Sequence, residues 1–176
     1  IIPSIRNPYA IPTEIYASVI GYSKKKYTND LPATFSDFWD VEKFPGRRSL
    51  PDDPAAVLEA ALIADGVPVD GVYEALATEE GIARAFAKLD TIKDDVVWWE
   101  AGAQPPQLLA DGEVVMTTAY NGRIFNAVAK ENKPFEIVWD AQVFSTDMWA
   151  IPKGAKNKEL AMEFLKFSTA TEQLAR

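Results

Sequence analysis

The chain has 176 residues and a formal net charge of −8, with 48% hydrophobic and 25% charged residues. This composition is typical of a folded globular protein, while the negative charge and the lack of a long apolar run argue against nucleic acid binding and a membrane span. Cys and His do not occur, which excludes thiol nucleophiles, zinc sites of the usual kind and Ser-His-Asp triads.

Strands and helices are predicted to alternate along the chain. Strands are predicted at residues 14–22, 49–50, 96–99, 114–119, 135–139 and 146–151, after a proline-rich extended segment at 1–13. Helices are predicted at 34–40, 54–64, 78–89, 107–110, 122–130 and from 158 onward. The alternation predicts an α/β fold, a mixed sheet flanked by helices.

The first two candidate binding segments follow predicted strands, where ligands collect in α/β sheets. Asp53 precedes Pro54 at a predicted helix start. Its carboxylate can therefore cap the helix or contact a ligand. Further along, Trp99 ends a strand, and the Gly-containing loop that follows leads to Gln104. Trp99 is preceded by Trp98. Packing in the core explains one of these two tryptophans more easily than both.

Two further segments combine an aromatic residue with a charge. Tyr120 ends a predicted strand and Arg123 lies in the turn after it, which offers a flat ring beside a guanidinium that matches a carboxylate. Asp147 lies in an apolar strand that we expect to be buried, so its charge requires a cation, either Arg123 or a ligand. Ser145 and Trp149 are expected on the same strand face as Asp147.

These candidates indicate binding rather than catalysis. Among them no nucleophile is placed beside a base, and no cofactor or metal is implied. A hydrolase that uses Asp53 and Asp147 as a carboxylate pair is the enzymatic alternative, but nothing in the sequence marks the two as such a pair.

Four motifs together resemble one known family. They are Phe38-Trp39-Asp40 with Phe44-Pro45-Gly46-Arg47-Arg48, then Leu109-Ala-Asp-Gly112-Glu113-Val, then Tyr120-Asn-Gly-Arg123, and finally Asp147-Met-Trp-Ala-Ile-Pro-Lys-Gly-Ala-Lys. With these motifs the chain resembles the solute-binding proteins of ABC importers, in the spermidine/putrescine-binding branch of the type II fold, with its γ-aminobutyrate-type relatives. Members have two α/β lobes that close on a ligand.

The resemblance also implies a domain organisation. Residues 14–152 match the second lobe, bounded by hinge strands at 14–22 and 146–152, and residues 153–176 form a helix that packs on the first lobe. We expect that first lobe to precede the chain and further residues to follow it. A secretion signal is expected to have been removed or to lie outside the sequence.

The resemblance assigns roles to individual residues. Tyr120 matches an aromatic that lines the amine pocket, Asp147 the carboxylate that receives a ligand ammonium, and Asp53 a further acidic contact. Two positions depart from the polyamine binders. Ala56 stands where a second acid often follows, and Arg123 where Ser or Asp is usual. Both a polyamine and a zwitterionic ω-amino acid such as γ-aminobutyrate therefore stay open.

The implied partners are the small amine or amino-acid ligand and the ABC permease subunits. The implied location is periplasmic, or extracellular and tethered to a membrane. A sensory module that binds the same ligand and reports to a receptor is the alternative, and uptake and chemotaxis assays would separate the two.

Overall fold

The computed structural model describes residues 5–174. Its strands are β1 (Ala10–Ser23), β2 (Arg48–Pro51), β3 (Val96–Trp99), β4 (Met116–Tyr120) and β5 (Phe135–Ala150). Its helices are α1 (Phe35–Trp39), α2 (Val57–Ala64), α3 (Val72–Leu76), α4 (Glu79–Asp90), α5 (Gln104–Asp111), α6 (Asn121–Glu131), α7 (Lys158–Ser168) and α8 (Thr171–Leu174). Short 3₁₀ turns at Val69–Gly71 and Lys93–Asp95 precede α3 and β3.

The strands form one mixed sheet in the order β3-β2-β4-β1-β5. Strand β2 runs parallel to both β3 and β4, and β1 runs antiparallel to β4. The parallel strands are connected through helices, as parallel pairs require. The predicted α/β class is therefore confirmed.

The sheet separates two hydrophobic clusters, both within Ala17–Val143. The larger cluster includes Ile20, Leu50 and Met116 from the strands, with buried side chains of α1 and α2. The smaller cluster packs α5 and α6 on the opposite face, where Ile124 lies against Gly21. A Cβ at Gly21 would lie 2.9 Å from Ile124 Cδ1, so glycine permits the close approach of α6.

The described chain divides into two compact units. One is Ala17–Val143, and the other consists of the described residues before and after it. In the second unit Leu165 is the only buried hydrophobic side chain among the described residues. Among residues 5–174, no helix is both long enough and apolar enough to cross a membrane.

Several predicted boundaries are corrected by long-range pairing. The separate strands predicted at 135–139 and 146–151 are parts of one 16-residue strand, β5, which lies beside the 14-residue β1 in the sheet. Strand β1 begins at Ala10, inside the segment predicted as merely extended at 1–13, of which residues 1–4 lie outside the described residues. Helix α3 was not predicted, because its five residues are too short for a clear helical pattern.

Two helix starts also differ from the prediction. Helix α2 begins at Val57, three residues after Pro54, and its N-cap is Ala56 in the left-handed region (φ 64°). Helix α5 begins at Gln104 rather than 107, because Pro105 and Pro106 occupy its first turn, where a missing N–H is tolerated.

Candidate functional site

The candidate residues of Ala17–Val143 lie at one edge of the sheet. Because β2, β3 and β4 are parallel, their carboxyl ends meet there. The backbone N–H of Asp52, just after β2, donates to the carbonyl of Trp99 at the end of β3 (2.8 Å). The loops that follow β2 and β3 are thus joined at the edge where β4 ends in Tyr120.

An aromatic pair occupies this edge. The rings of Trp99 and Tyr120 meet edge to face, with centroids 5.9 Å apart and planes at 83°. Trp99 is buried, and its ring nitrogen has no hydrogen-bond acceptor among residues 5–174. Tyr120 is 36% exposed. The buried ring therefore supports a second ring that presents part of its surface to solvent.

Gly102 lies directly beside the Tyr120 ring. A Cβ built on Gly102 would be 2.9 Å from both Cδ2 and Cε2 of Tyr120. Real Cβ atoms essentially never come that close to another heavy atom. The ring can occupy its position only because residue 102 lacks a side chain.

Gln104 supports the loop instead of presenting its carbonyl to a ligand. Its Oε1 accepts hydrogen bonds from the backbone N–H groups of Glu100 (2.9 Å) and Ala101 (2.7 Å). These bonds close the turn between β3 and α5. Because Oε1 is used within the loop, only the side-chain NH₂ group of Gln104 is left to contact a ligand. That contact stays a prediction.

Asp53 is exposed in the loop after β2, and its Oδ1 accepts from the backbone N–H of Ala55 (2.7 Å). The expectation that Asp53 caps the helix directly is wrong, since α2 begins only after Ala56. Its carboxylate instead closes a local turn. The turn holds Asp53 at the sheet edge, and within residues 5–174 its second oxygen accepts no hydrogen bond.

Arg123 is the third residue of α6 and is exposed. It lines a groove of about 190 Å³ between α5 and α6, together with Gln107 and Asn126. Within the described part of Ala17–Val143, Arg123 forms no salt bridge. Its charge at the start of α6 is thus not neutralised by a carboxylate of this unit.

Asn121 is a site residue that the sequence analysis missed. Its Oδ1 accepts from the backbone N–H of Ala17 (3.0 Å), at the point where β1 enters the unit. Because β1 pairs with β4 so that Ser18 lies opposite Tyr120, this bond holds the entry of β1 at the candidate edge. The Tyr-Asn-Gly-Arg motif contained the signal, but only its aromatic and its cation were interpreted.

Asp147 and Ser145 belong to the other compact unit. The expectation that Asp147 lies in a buried strand is wrong. Asp147 and Ser145 are exposed, as are Met148 and Trp149. The backbone carbonyl of Asp147 accepts from Thr13 Oγ1 (3.2 Å). Because Asp147 is exposed, its carboxylate needs no cationic partner to offset a cost of burying its charge. The expected role of Asp147 in receiving a ligand ammonium rests on the family resemblance alone.

The site offers aromatic and charged groups but no metal ligand set. Among residues 5–174, no group of three or more His, Cys, Asp or Glu side chains is arranged to hold a metal ion. What the edge of Ala17–Val143 provides is an aromatic surface, an acid and an arginine. These are suitable for holding a small charged organic molecule.

The family and the curated relatives were identified by comparison with known proteins. A family model described as bacterial extracellular solute-binding protein matches residues 4–176. The gamma-aminobutyric acid-binding protein of Pseudomonas aeruginosa is 45% identical over 168 residues, which are 96% of this chain and 47% of that protein. The spermidine/putrescine-binding periplasmic protein of Escherichia coli is 29% identical over 164 residues, which are 92% of this chain and 44% of that protein. The chain thus spans about half the length of the curated relatives it matches.

A solved structure confirms the predicted fold. The crystal structure of an ABC transporter substrate-binding protein from Bradyrhizobium japonicum is similar to this chain with a TM-score of 0.83 and 46% identity. The match covers 93% of this chain and 49% of that one. The sheet and its flanking helices are accordingly those of a type II solute-binding protein.

Proposed function

Because the chain belongs to the bacterial extracellular solute-binding proteins, we propose that it supplies the ligand-binding edge of an ABC importer's substrate-binding protein. The protein captures a small amine or amino acid without chemical change and delivers it to permease subunits. The observation that carries the proposal is the aromatic pair of Trp99 and Tyr120 at the carboxyl edge of the parallel strands. The compartment that follows is the periplasm or the outer face of the membrane.

We propose a zwitterionic ω-amino acid as the ligand. Arg123 stands at the start of α6 with no carboxylate of its own unit paired to it. Such a guanidinium suits a ligand carboxylate and would repel a dication such as putrescine. The 45% identity to a gamma-aminobutyric acid-binding protein, against 29% to a spermidine/putrescine-binding protein, supports the same choice.

The remaining candidates receive roles in the same scheme. Tyr120 presents its ring to the ligand's apolar chain and ammonium group. Asp147 receives the ammonium, and Asp53 and Ser145 are secondary polar contacts. Trp99 contributes by supporting Tyr120, because its own ring is buried.

We propose that closing the protein on its ligand requires a second lobe. Residues 14–22, within β1, and residues 146–152, which include the end of β5, are its hinge strands, and residues 14–152 make up the lobe described here. The helix α7 exposes Leu160, Phe164 and Phe167, an apolar surface that suits packing against that other lobe. The half-length match to the curated relatives supports this organisation.

Isothermal titration calorimetry on the full-length gene product tests the ligand class. We expect heat of binding with γ-aminobutyrate and none with putrescine or spermidine. Replacement of Arg123 by Gln should weaken γ-aminobutyrate binding by about 30-fold or more, because the ligand carboxylate loses its charged partner. Lys133→Gln is the matched control, since Lys133 lines the same groove but follows the last turn of α6, and it should change affinity less than about twofold.

Two results would contradict the proposal. If none of these compounds binds, the amine and amino-acid ligand class is wrong. If putrescine binds and Arg123→Gln leaves γ-aminobutyrate affinity unchanged, the zwitterion assignment fails while the transport role stands.

A further inference from the structure

We propose that Gly102 is the positioning residue that sets the ligand preference of this site, because its missing side chain determines where the ring of Tyr120 stands. This inference rests on the proposed function, in which that ring contacts the ligand. In this proposal, residue 102 influences the choice between ligands of different length through the position of the Tyr120 ring.

The backbone conformation does not require glycine at this position. Gly102 is not among the glycines with positive φ, which are Gly46, Gly66, Gly112 and Gly154. An alanine could therefore adopt its backbone angles without strain. The reason for glycine at 102 is steric: among residues 5–174, and apart from its chain neighbours, the atoms within 4 Å of its Cβ position are Cδ2 and Cε2 of Tyr120.

The loop around Gly102 is held in place from both sides. Before it, the carbonyl of Trp99 accepts from Asp52 N–H. Around it, Gln104 binds the N–H groups of Glu100 and Ala101, and the N–H of Gln104 donates to the carbonyl of Ala101 (2.9 Å). Because these four hydrogen bonds involve Trp99, Glu100, Ala101 and Gln104, the loop backbone cannot easily retreat from an added methyl group.

The ring of Tyr120 must move instead. The ring contacts both the Gly102 position and the buried Trp99. Since Trp99 is only 4% exposed and cannot shift without disturbing the core, the open direction for the ring is toward solvent, where it is 36% exposed. Under the proposed function that direction is the ligand space, so a methyl group at 102 narrows the site.

A double-mutant cycle in the full-length gene product tests the inference. Gly102→Ala should weaken γ-aminobutyrate binding by about tenfold, the size expected for a displaced aromatic contact with a cation. It should weaken binding of the longer 5-aminovalerate more than that of γ-aminobutyrate. In a Tyr120→Ala background the same change should alter both affinities less than about twofold, because the ring that the methyl group displaces is gone.

The control is Gly71→Ala. Gly71 also has no positive φ, and the nearest atom to its Cβ position among residues 5–174, chain neighbours aside, is Val67 Cγ1 at 3.9 Å, an ordinary contact. This variant should bind like the parent. A merely structural effect of Gly102→Ala would persist in the Tyr120→Ala background and leave the ratio of the two affinities unchanged, and either result overturns the inference.

A crystal structure of the unliganded Gly102→Ala protein separates this inference from the proposed function. We expect the Tyr120 ring to be displaced from residue 102 toward solvent. An unmoved ring overturns the positioning role whether or not any amino acid binds. A displaced ring in a protein that binds none of the tested compounds supports the positioning and overturns the ligand assignment alone.

Discussion

At the scale of single residues, the most unusual side chain is Arg48, which is fully buried in the larger core. A buried charge is tolerated only when its donors are satisfied. Its guanidinium donates to three backbone carbonyls, those of Phe38 (2.9 Å), Asp40 (3.1 Å) and Gly46. Arg48 therefore holds the segment between α1 and β2 against the sheet, in the region of the Phe-Pro-Gly-Arg-Arg motif.

Replacing Arg48 by Lys should lower the free energy of unfolding by about 2 kcal/mol or more, because an ammonium cannot reproduce the planar set of donors to three carbonyls. Urea denaturation followed by circular dichroism measures the loss. The neighbouring Arg47 is exposed, and Arg47→Lys should change stability by less than about 0.5 kcal/mol. Equal effects of the two substitutions would contradict this role of Arg48.

At the scale of elements, α1 shows how local chemistry defines a helix start. Thr34 is its N-cap, and Thr34 Oγ1 accepts from Asp37 N–H (3.1 Å), while Asp37 Oδ2 accepts from the N–H groups of Thr34 and Ala33 (2.9 Å each). Burial raises the pKa of Asp37, but these hydrogen bonds outweigh it and hold the pKa below its ordinary value of 3.8. Helix α2 lacks such a cap and follows a left-handed Ala56 instead.

The low pKa predicts how this cap responds to pH. Because the folded-state pKa of Asp37 lies below the unfolded one, its stabilisation is complete above about pH 4 and is lost as the pH falls through the folded-state value. Asp37→Asn should therefore lower the free energy of unfolding by about 1 kcal/mol at pH 7, and the difference from the parent should shrink below pH 4. Urea denaturation across this range measures it, with the exposed Glu42→Gln as control. A difference that is constant with pH would contradict the assignment.

At the scale of the whole molecule, burial is distributed unequally between the two compact units. Both hydrophobic clusters lie within Ala17–Val143. In the described part of the other unit, α7 buries Leu165 but leaves Leu160, Phe164 and Phe167 more than half exposed. Trp149 stacks on Phe164 with ring centroids 5.1 Å apart, which covers only part of this apolar surface.

Hydrogen exchange should reveal the difference. In the 176-residue chain, we expect the amides of β2 and β4 to exchange only when the whole protein unfolds. The amides of α7 should exchange about 100-fold faster or more, because few buried contacts hold this helix. Exchange monitored by mass spectrometry measures both. In the full-length gene product, the proposed packing of α7 on another lobe should slow its exchange. Protection of α7 equal to that of β4 in the isolated chain would contradict the prediction.

Much of the fold and part of the site follow from local sequence patterns. The alternation of apolar runs and helical periodicity predicts the strands β2, β3 and β4 and the helices α1, α4 and α6, because these patterns report which side of a local segment is buried. Strand ends then place Asp53, Trp99 and Tyr120 at one edge, since parallel strands share their carboxyl ends. The four sequence motifs indicated the protein family.

Other features depend on residues far apart in the chain. The pairing with β1 makes β5 one strand, Gln104 uses its carbonyl on its own loop, and Asp147 is exposed. The contact between the Gly102 position and the Tyr120 ring joins the loop after β3 to the end of β4, so no local pattern could contain it. Sequence by itself therefore determined the class of the fold and pointed to Asp53, Trp99 and Tyr120 as candidates at the carboxyl ends of the parallel strands. Tertiary structure decided which of these side chains are buried and which are exposed, because burial depends on packing between distant segments.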